Sequence, residues 1–148
     1  MKVIVLITLL ISLDFWSEAQ DSAKIKLIDS LSTSWAQKAK NNQLQIVDQN
    51  LLLEGNRIQP IKFLSESDSL RIIWEENAKE NITIYFLENK KLLLARMFRD
   101  GDFESPYMEV YFIGSDAFKK KNGKFEKVNE QVLSAKISSY IELLEKSK

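Results

Sequence analysis

Along the first forty residues the apolar positions change rhythm. From Val3 to Leu13 they form a run broken only by Thr8 and Ser12, whereas from Asp21 to about Lys40 they return at intervals of three and four, at Ile25, Ile28, Leu31, Trp35 and Ala39. The second spacing places these side chains on one face of a helix, with Asp21 as its cap and Asn41-Asn42 as its end. Residues 43–64 read differently. Leu44, Ile46 and Leu51-Leu52-Leu53 suggest a strand pair turning near Asp48-Gln49-Asn50, and Glu54-Gly55-Asn56 is a further turn signal. Ile58, Ile61 and Phe63 suggest another short strand, which Pro60 favours at a sheet edge. Strands are then predicted over residues 70–77, 80–88, 91–99 and 106–113, followed by a hairpin about Lys121-Asn122-Gly123-Lys124, because type I′ turns favour Asn-Gly at their centre. Residues 129–146 form a last helix, capped by Asn129, with Leu133, Ile137, Tyr140, Ile141 and Leu144 on one face. The plan is α+β: an N-terminal helix, an antiparallel β-meander of about six to eight strands, and a C-terminal helix, the helices covering one sheet face.

Short connections set an expected register. A two-residue turn at Asn89-Lys90 pairs Tyr85 with Leu94 and Thr83 with Arg96, and a turn at Ala78-Lys79 sets Trp74 against Thr83. The loop from Arg99 to Pro106 brings Phe98 opposite Tyr107, Arg96 opposite Glu109 and Leu94 opposite Tyr111. Because side chains alternate along a strand, one face then carries Ile73, Ile84, Phe86, Ala95 and Val110 and takes the helices. The other carries Trp74, Tyr85, Arg96, Tyr107, Glu109 and Tyr111, an apolar surface with polar handles and an Arg96–Glu109 cross-strand ion pair. Either residues 43–64 fold over this second face and bury it, or it stays open as a cupped aromatic site. These six residues are the candidate ligand-binding set.

Composition narrows the chemistry. The chain has 148 residues, 45% apolar and 28% charged, with 21 basic and 21 acidic side chains, which suits one globular domain. A balanced charge argues against a nucleic-acid partner or a broad anionic-membrane surface. Histidine and cysteine are absent. That removes the imidazole base, the thiol nucleophile, His- or Cys-based zinc and haem ligation, and every disulfide, and no cofactor is indicated. With Gly at 4 positions there is no glycine-rich phosphate loop, nor is there a Gly-x-Ser-x-Gly or Ser-x-x-Lys motif, and no catalytic residue is assigned. Asp100-Gly101-Asp102-Phe103-Glu104 resembles a fragment of a calcium loop but lacks its full spacing, and reads as a turn. Glu75, Glu76 and Glu80 cluster about one hairpin tip, where solvent is expected to keep them ionised. Lys119, Lys120, Lys121, Lys124 and Lys127 read as lysine protection of an edge hairpin.

The N-terminus reads as an export signal. Lys2 precedes the apolar run, which is shorter than the ~20 residues that span a bilayer. Ser17 and Ala19 then give the small-x-small pattern cut by signal peptidase. Residues 1–19 are thus a predicted signal peptide cleaved after Ala19, and residues 20–148 a single α+β domain, periplasmic or extracellular, without a transmembrane segment. No cysteine follows the run, so no lipid anchor is expected. The sequon Asn81-Ile82-Thr83 has Thr83 inside a predicted strand and reads as accidental.

Two segments share a strand–turn–strand form, Tyr85-Phe86-Leu87-Glu88-Asn89-Lys90-Lys91-Leu92 and Lys120-Lys121-Asn122-Gly123-Lys124-Phe125, the second preceded by Glu109-Val110-Tyr111-Phe112. Residues 70–127 in this respect resemble small exported proteins of Bacteroidota that carry "YYF-x-NGKL" hairpins in an α+β frame. The resemblance implies location and architecture and brings no catalytic residues. The functional expectation is an exported, non-enzymatic protein that binds an envelope ligand or protein on its aromatic sheet face. The alternatives are an inhibitor or immunity-type protein acting through charged loops such as residues 100–104, and a small envelope hydrolase using Glu109, Arg96 and a tyrosine.

Overall fold

A computed structural model of the protein describes residues 2–53, 57–77, 81–99 and 102–146, of which residues 2–19, 51–53 and 57 by backbone alone. The helix expected from Asp21 is the second half of a longer one, α1 (Lys2–Lys40). Its packed stripe is the expected one: Ile25, Ile28 and Trp35 are buried, and Leu31 and Ala39 lie against the same cluster. Asn42 ends the helix at a φ of 55°, while the amide of Gln43 donates to the Lys38 carbonyl and that of Asn42 to the Ala39 carbonyl. These two bonds make a Schellman end, which asparagine tolerates because its side chain suits the left-handed region.

Eight strands follow, β1 (Gln45–Leu53), β2 (Arg57–Glu66), β3 (Ser69–Glu76), β4 (Ile82–Glu88), β5 (Lys91–Phe98), β6 (Met108–Ile113), β7 (Asp116–Lys121) and β8 (Lys124–Val128), in one sheet whose spatial order is the chain order. All neighbours are antiparallel. The turns at Asn89-Lys90 and Asn122-Gly123 have positive φ at both central residues, as type I′ requires. The described part of residues 43–64 does not fold over a sheet face. It enters the same sheet as β1 and most of β2, and β1 runs straight through the turn expected at 48–50. Pro60 sits in β2, which is not an edge strand. The ladder to β3 begins at Ile61, however, so Pro60 has only Asn50 of β1 opposite it and its missing N–H breaks no bond to β3. The outer strands are β1 and β8, and β8 carries Lys124 and Lys127.

The last element is α2 (Gln131–Lys146). Its buried residues Ile137, Tyr140, Ile141 and Leu144 pack on Phe63, Ile73, Tyr85, Leu87 and Ala95. The stripe of α1 packs instead on Leu64, Ile72, Phe86, Leu94 and Tyr111, which alternate with the first set along the strands. The sheet therefore lies between the two helices, one on each face. This corrects the expectation that both would cover the same face, and it reflects the sequence: both sheet faces are apolar, so each needs a cover.

Register decides which residues meet. Between β5 and β6 it is the expected one, with Arg96 opposite Glu109 and Leu94 opposite Tyr111. Between β4 and β5, Leu87 pairs with Leu92 as expected, but Phe86 then pairs with Leu94 and leaves Leu93 as the extra residue of a bulge. Leu92 packs on the α2 side, and Leu93 and Leu94 both pack on the α1 side. Beyond the bulge every partner is displaced by one, so Tyr85 faces Ala95 and Ile84 faces Arg96. The β3–β4 pair is also displaced by one, with Ile73 opposite Tyr85 and Trp74 opposite Ile84. Its connection is closed by the Asn77 amide donating to the Asn81 carbonyl at 2.7 Å. A one-residue slip sends a side chain to the opposite face, and Tyr85 therefore lies under α2, away from Trp74, Arg96, Glu109 and Tyr111.

Candidate functional site

Of the six residues singled out from sequence, Trp74, Arg96, Glu109 and Tyr111 occupy the α1 face. Tyr107 precedes β6, stays 47% exposed and lies under the Arg99 guanidinium at 5.4 Å. Arg96, Glu109 and Tyr111 form a closed polar network with a residue that sequence reading passed over, Asp29 of α1. Arg96 Nε donates to Glu109 Oε1 at 3.0 Å, its Nη2 to Asp29 Oδ1 at 3.3 Å, and Tyr111 Oη to Asp29 Oδ1 at 2.7 Å. Lys120 Nζ reaches Glu109 Oε2 at 3.0 Å. Every charge here has a partner, and the network ties α1 to β5 and β6 across the helix–sheet seam. Glu109 is held by two cations, Arg96 and Lys120.

Trp74 faces something else. The last turns of α1 lie beside an uncovered part of the sheet, leaving a groove of about 550 Å³. Leu64, Ile72, Ile84 and Phe86 from β2, β3 and β4 form its floor, and Ala36 and Ala39 of α1 form one wall. Phe103, from the loop between β5 and β6, lies 5.8 Å from the Trp74 ring and 6.4 Å from that of Phe98. The loop is shaped by the Asp102 carboxylate, which accepts from the amides of Glu104 and Ser105 at 3.2 and 3.0 Å. Phe103 is still 49% exposed and Ile46 at the groove's β1 side 52%, so apolar surface is left facing water. The exposed Lys40 and Lys62 complete the lining. Trp74 Nε1 is buried and has no hydrogen-bond partner. An unsatisfied buried donor is worth about 1–3 kcal/mol to satisfy, so an acceptor that reached it would be bound with that advantage.

A second constellation lies under α2. Glu75 was expected at a solvated hairpin tip with Glu76 and Glu80. Glu76 is exposed and Glu80 falls outside the described residues, but Glu75 is fully buried, because its register opposite Thr83 turns it inward. Its carboxylate accepts from Tyr85 Oη at 2.7 Å, Lys136 Nζ at 2.6 Å, Tyr140 Oη at 3.2 Å and Gln59 Nε2. Asn77 extends the network to Thr83 at 2.9 Å. Burial, then the neighbouring Glu75 carboxylate, push the Tyr85 and Tyr140 hydroxyls well above the usual tyrosine range. Lys136, its side chain 35% exposed, and the half-buried Asn77 are the members that meet solvent, so the cluster reads as a lock between α2 and the sheet. A smaller groove of about 410 Å³ near the far end of α2 is lined by Leu70, Ile141 and Leu144 and bridged by the Lys90–Glu145 ion pair.

Among the described residues no group of acidic side chains is placed to hold a metal ion, and no helix is long and apolar enough to cross a membrane. Compared with protein-family models, curated proteins and solved structures, the chain finds no match in any of the three.

Proposed function

We propose that the protein is an exported binding protein that takes an apolar ligand in the groove between the end of α1 and strands β1 to β4. The observation that carries this reading is the groove itself: a concave surface of about 550 Å³ with apolar floor and wall, two aromatic rings at one end and an unpartnered indole donor. Ligand sites mix apolar walls with few polar groups in this way. The aromatic face anticipated from sequence is thereby narrowed to Trp74, with Phe103, Ile84 and Phe86 in place of the tyrosines.

Binding of the uncharged fluorophore N-phenylnaphthylamine to residues 20–148 tests the site. Ala36→Trp fills the groove from an exposed helix position, so it is expected to weaken binding at least about tenfold while leaving the unfolding temperature unchanged. Unaltered binding in that variant contradicts the reading.

Export through cleavage after Ala19 belongs to the same proposal. It rests on the sequence pattern: Lys2, the apolar run from Val3 to Leu13, and the small residues Ser17 and Ala19. Mass spectrometry of protein recovered from its own cells is expected to find Gln20 as the first residue. The chain starting there is expected to unfold at the same temperature as the full chain. Intact residues 1–19 on the recovered protein contradict the export proposal.

A further inference from the structure

We infer that the groove's ligand is a single-chain amphiphile with an anionic head, a long-chain fatty-acid carboxylate, its chain along the sheet floor and its head at Lys40 and Lys62. This rests on the groove being a ligand site and adds what kind of ligand fits it.

The side chains of the floor offer no hydrogen-bonding group, and of the two buried side-chain donors without a hydrogen bond among the described residues, Trp74 Nε1 and Arg71 Nε, only that of Trp74 belongs to the groove lining. The buried part of the ligand must therefore be hydrocarbon, since a sugar or nucleotide would lose hydration there without replacement. An extended peptide laid across that floor meets the same obstacle, the free edge of the outer strand β1 lying on the side away from β2. Strands β2, β3 and β4 under the groove are paired on both sides, so their backbone has nothing to offer its amides and carbonyls. Charge then selects the head. The two charged side chains on the lining are both lysines, and neither forms a salt bridge among the described residues. Lys38, two residues before Lys40, is by contrast taken up by Glu66. Asp48 stands opposite Lys62 in register without closing a bridge to it. Size selects the tail: about 550 Å³ is the scale of one drug-sized ligand, which one acyl chain fills and a two-chain phospholipid exceeds.

Titration calorimetry of residues 20–148 with decanoate, dodecanoate and tetradecanoate, with the matching alcohols and with phosphatidylglycerol vesicles, tests this. Affinity is expected to rise about fifteenfold per two methylenes until the groove is full. Each carboxylate is expected to bind about threefold to tenfold more tightly than its alcohol, as suits two partly exposed ion pairs. In Lys40→Gln/Lys62→Gln that preference should vanish while alcohol binding is retained. If alcohols and carboxylates bind alike, or if the preference survives in the double variant, the head-group assignment is overturned and the groove stands as an apolar site. If neither binds, or if Ala36→Trp binds both like the wild type, the groove reading itself fails. Capture of vesicles without binding of the soluble carboxylates assigns the surface to a membrane and overturns the proposal.

Discussion

Replacing Glu75 with alanine is expected to remove about 3–5 kcal/mol of stability, since it leaves a cavity and two buried tyrosine hydroxyls without an acceptor, at about 1–3 kcal/mol for each hydroxyl. At this chain length that lowers the unfolding temperature by roughly 10–20 °C. The loss arises because Tyr85 Oη and Tyr140 Oη would be left in the interior without their acceptor and Gln59 Nε2 would keep only Asn77 Oδ1 at 3.4 Å, while the partly exposed Lys136 Nζ turns to solvent. Urea midpoints check this. Glu75→Leu with Lys136→Met removes both charges and supplies apolar volume, so it is expected to recover a large part of the loss. If the double variant is as unstable as Glu75→Ala, the pair is not what holds α2 down. If the single variant is neutral, Glu75 is not buried as described.

Alkali is expected to unfold the protein over a narrow pH range. Burial raises the Tyr85, Tyr111 and Tyr140 hydroxyls well above their ordinary value, and the carboxylates of Glu75, Asp29 and Glu109 add to it, while Arg96 opposes the effect at Tyr111. The unfolded chain ionises its tyrosines near pH 10, whereas the folded chain keeps these three protonated. The folded state therefore holds more protons at high pH. The stability linked to these groups is fully present below about pH 10 and is lost as pH rises from there toward the folded-state values. The loss is about 1.4 kcal/mol per pH unit for each tyrosine, so about 4 for the three together. Urea midpoints measured across this range should fall with that slope, and Tyr85→Phe or Tyr140→Phe should each lessen it by about one third. A slope near zero above pH 10 contradicts the burial of these hydroxyls.

Much of the fold is legible in the sequence where local chemistry is unambiguous. The stripe from Ile25 to Ala39, the stripe from Leu133 to Leu144, the Asn-Gly hairpin and the meander all follow from spacing and turn residues. The Arg96–Glu109 pair follows from alternation across β5 and β6. What alternation cannot resolve is register where every choice is apolar. Leu92, Leu93 and Leu94 offer a leucine to either face, so no polar residue marks the bulge at Leu93, and the displacement carries Tyr85 and Thr83 to the other side of the sheet. That slip also explains Glu75: a glutamate beside an expected hairpin tip reads as solvated until its partner strand places it among Tyr85, Tyr140 and Lys136. Trp74 was recognisable as a strand aromatic. The other parts of the groove come from residues 36, 46, 62 and 103, which are far apart in the chain and share no motif, so only the folded sheet brings them together.

The groove as a ligand site is tested most directly by amide, indole and methyl chemical-shift mapping of residues 20–148 on addition of dodecanoate. The expected result is a contiguous set of changes at Ile46, Leu64, Ile84 and Phe103 with a large shift of the Trp74 indole proton. Changes confined to Leu70, Ile141 and Leu144 on the opposite face, or a Trp74 indole proton that does not move, would contradict it.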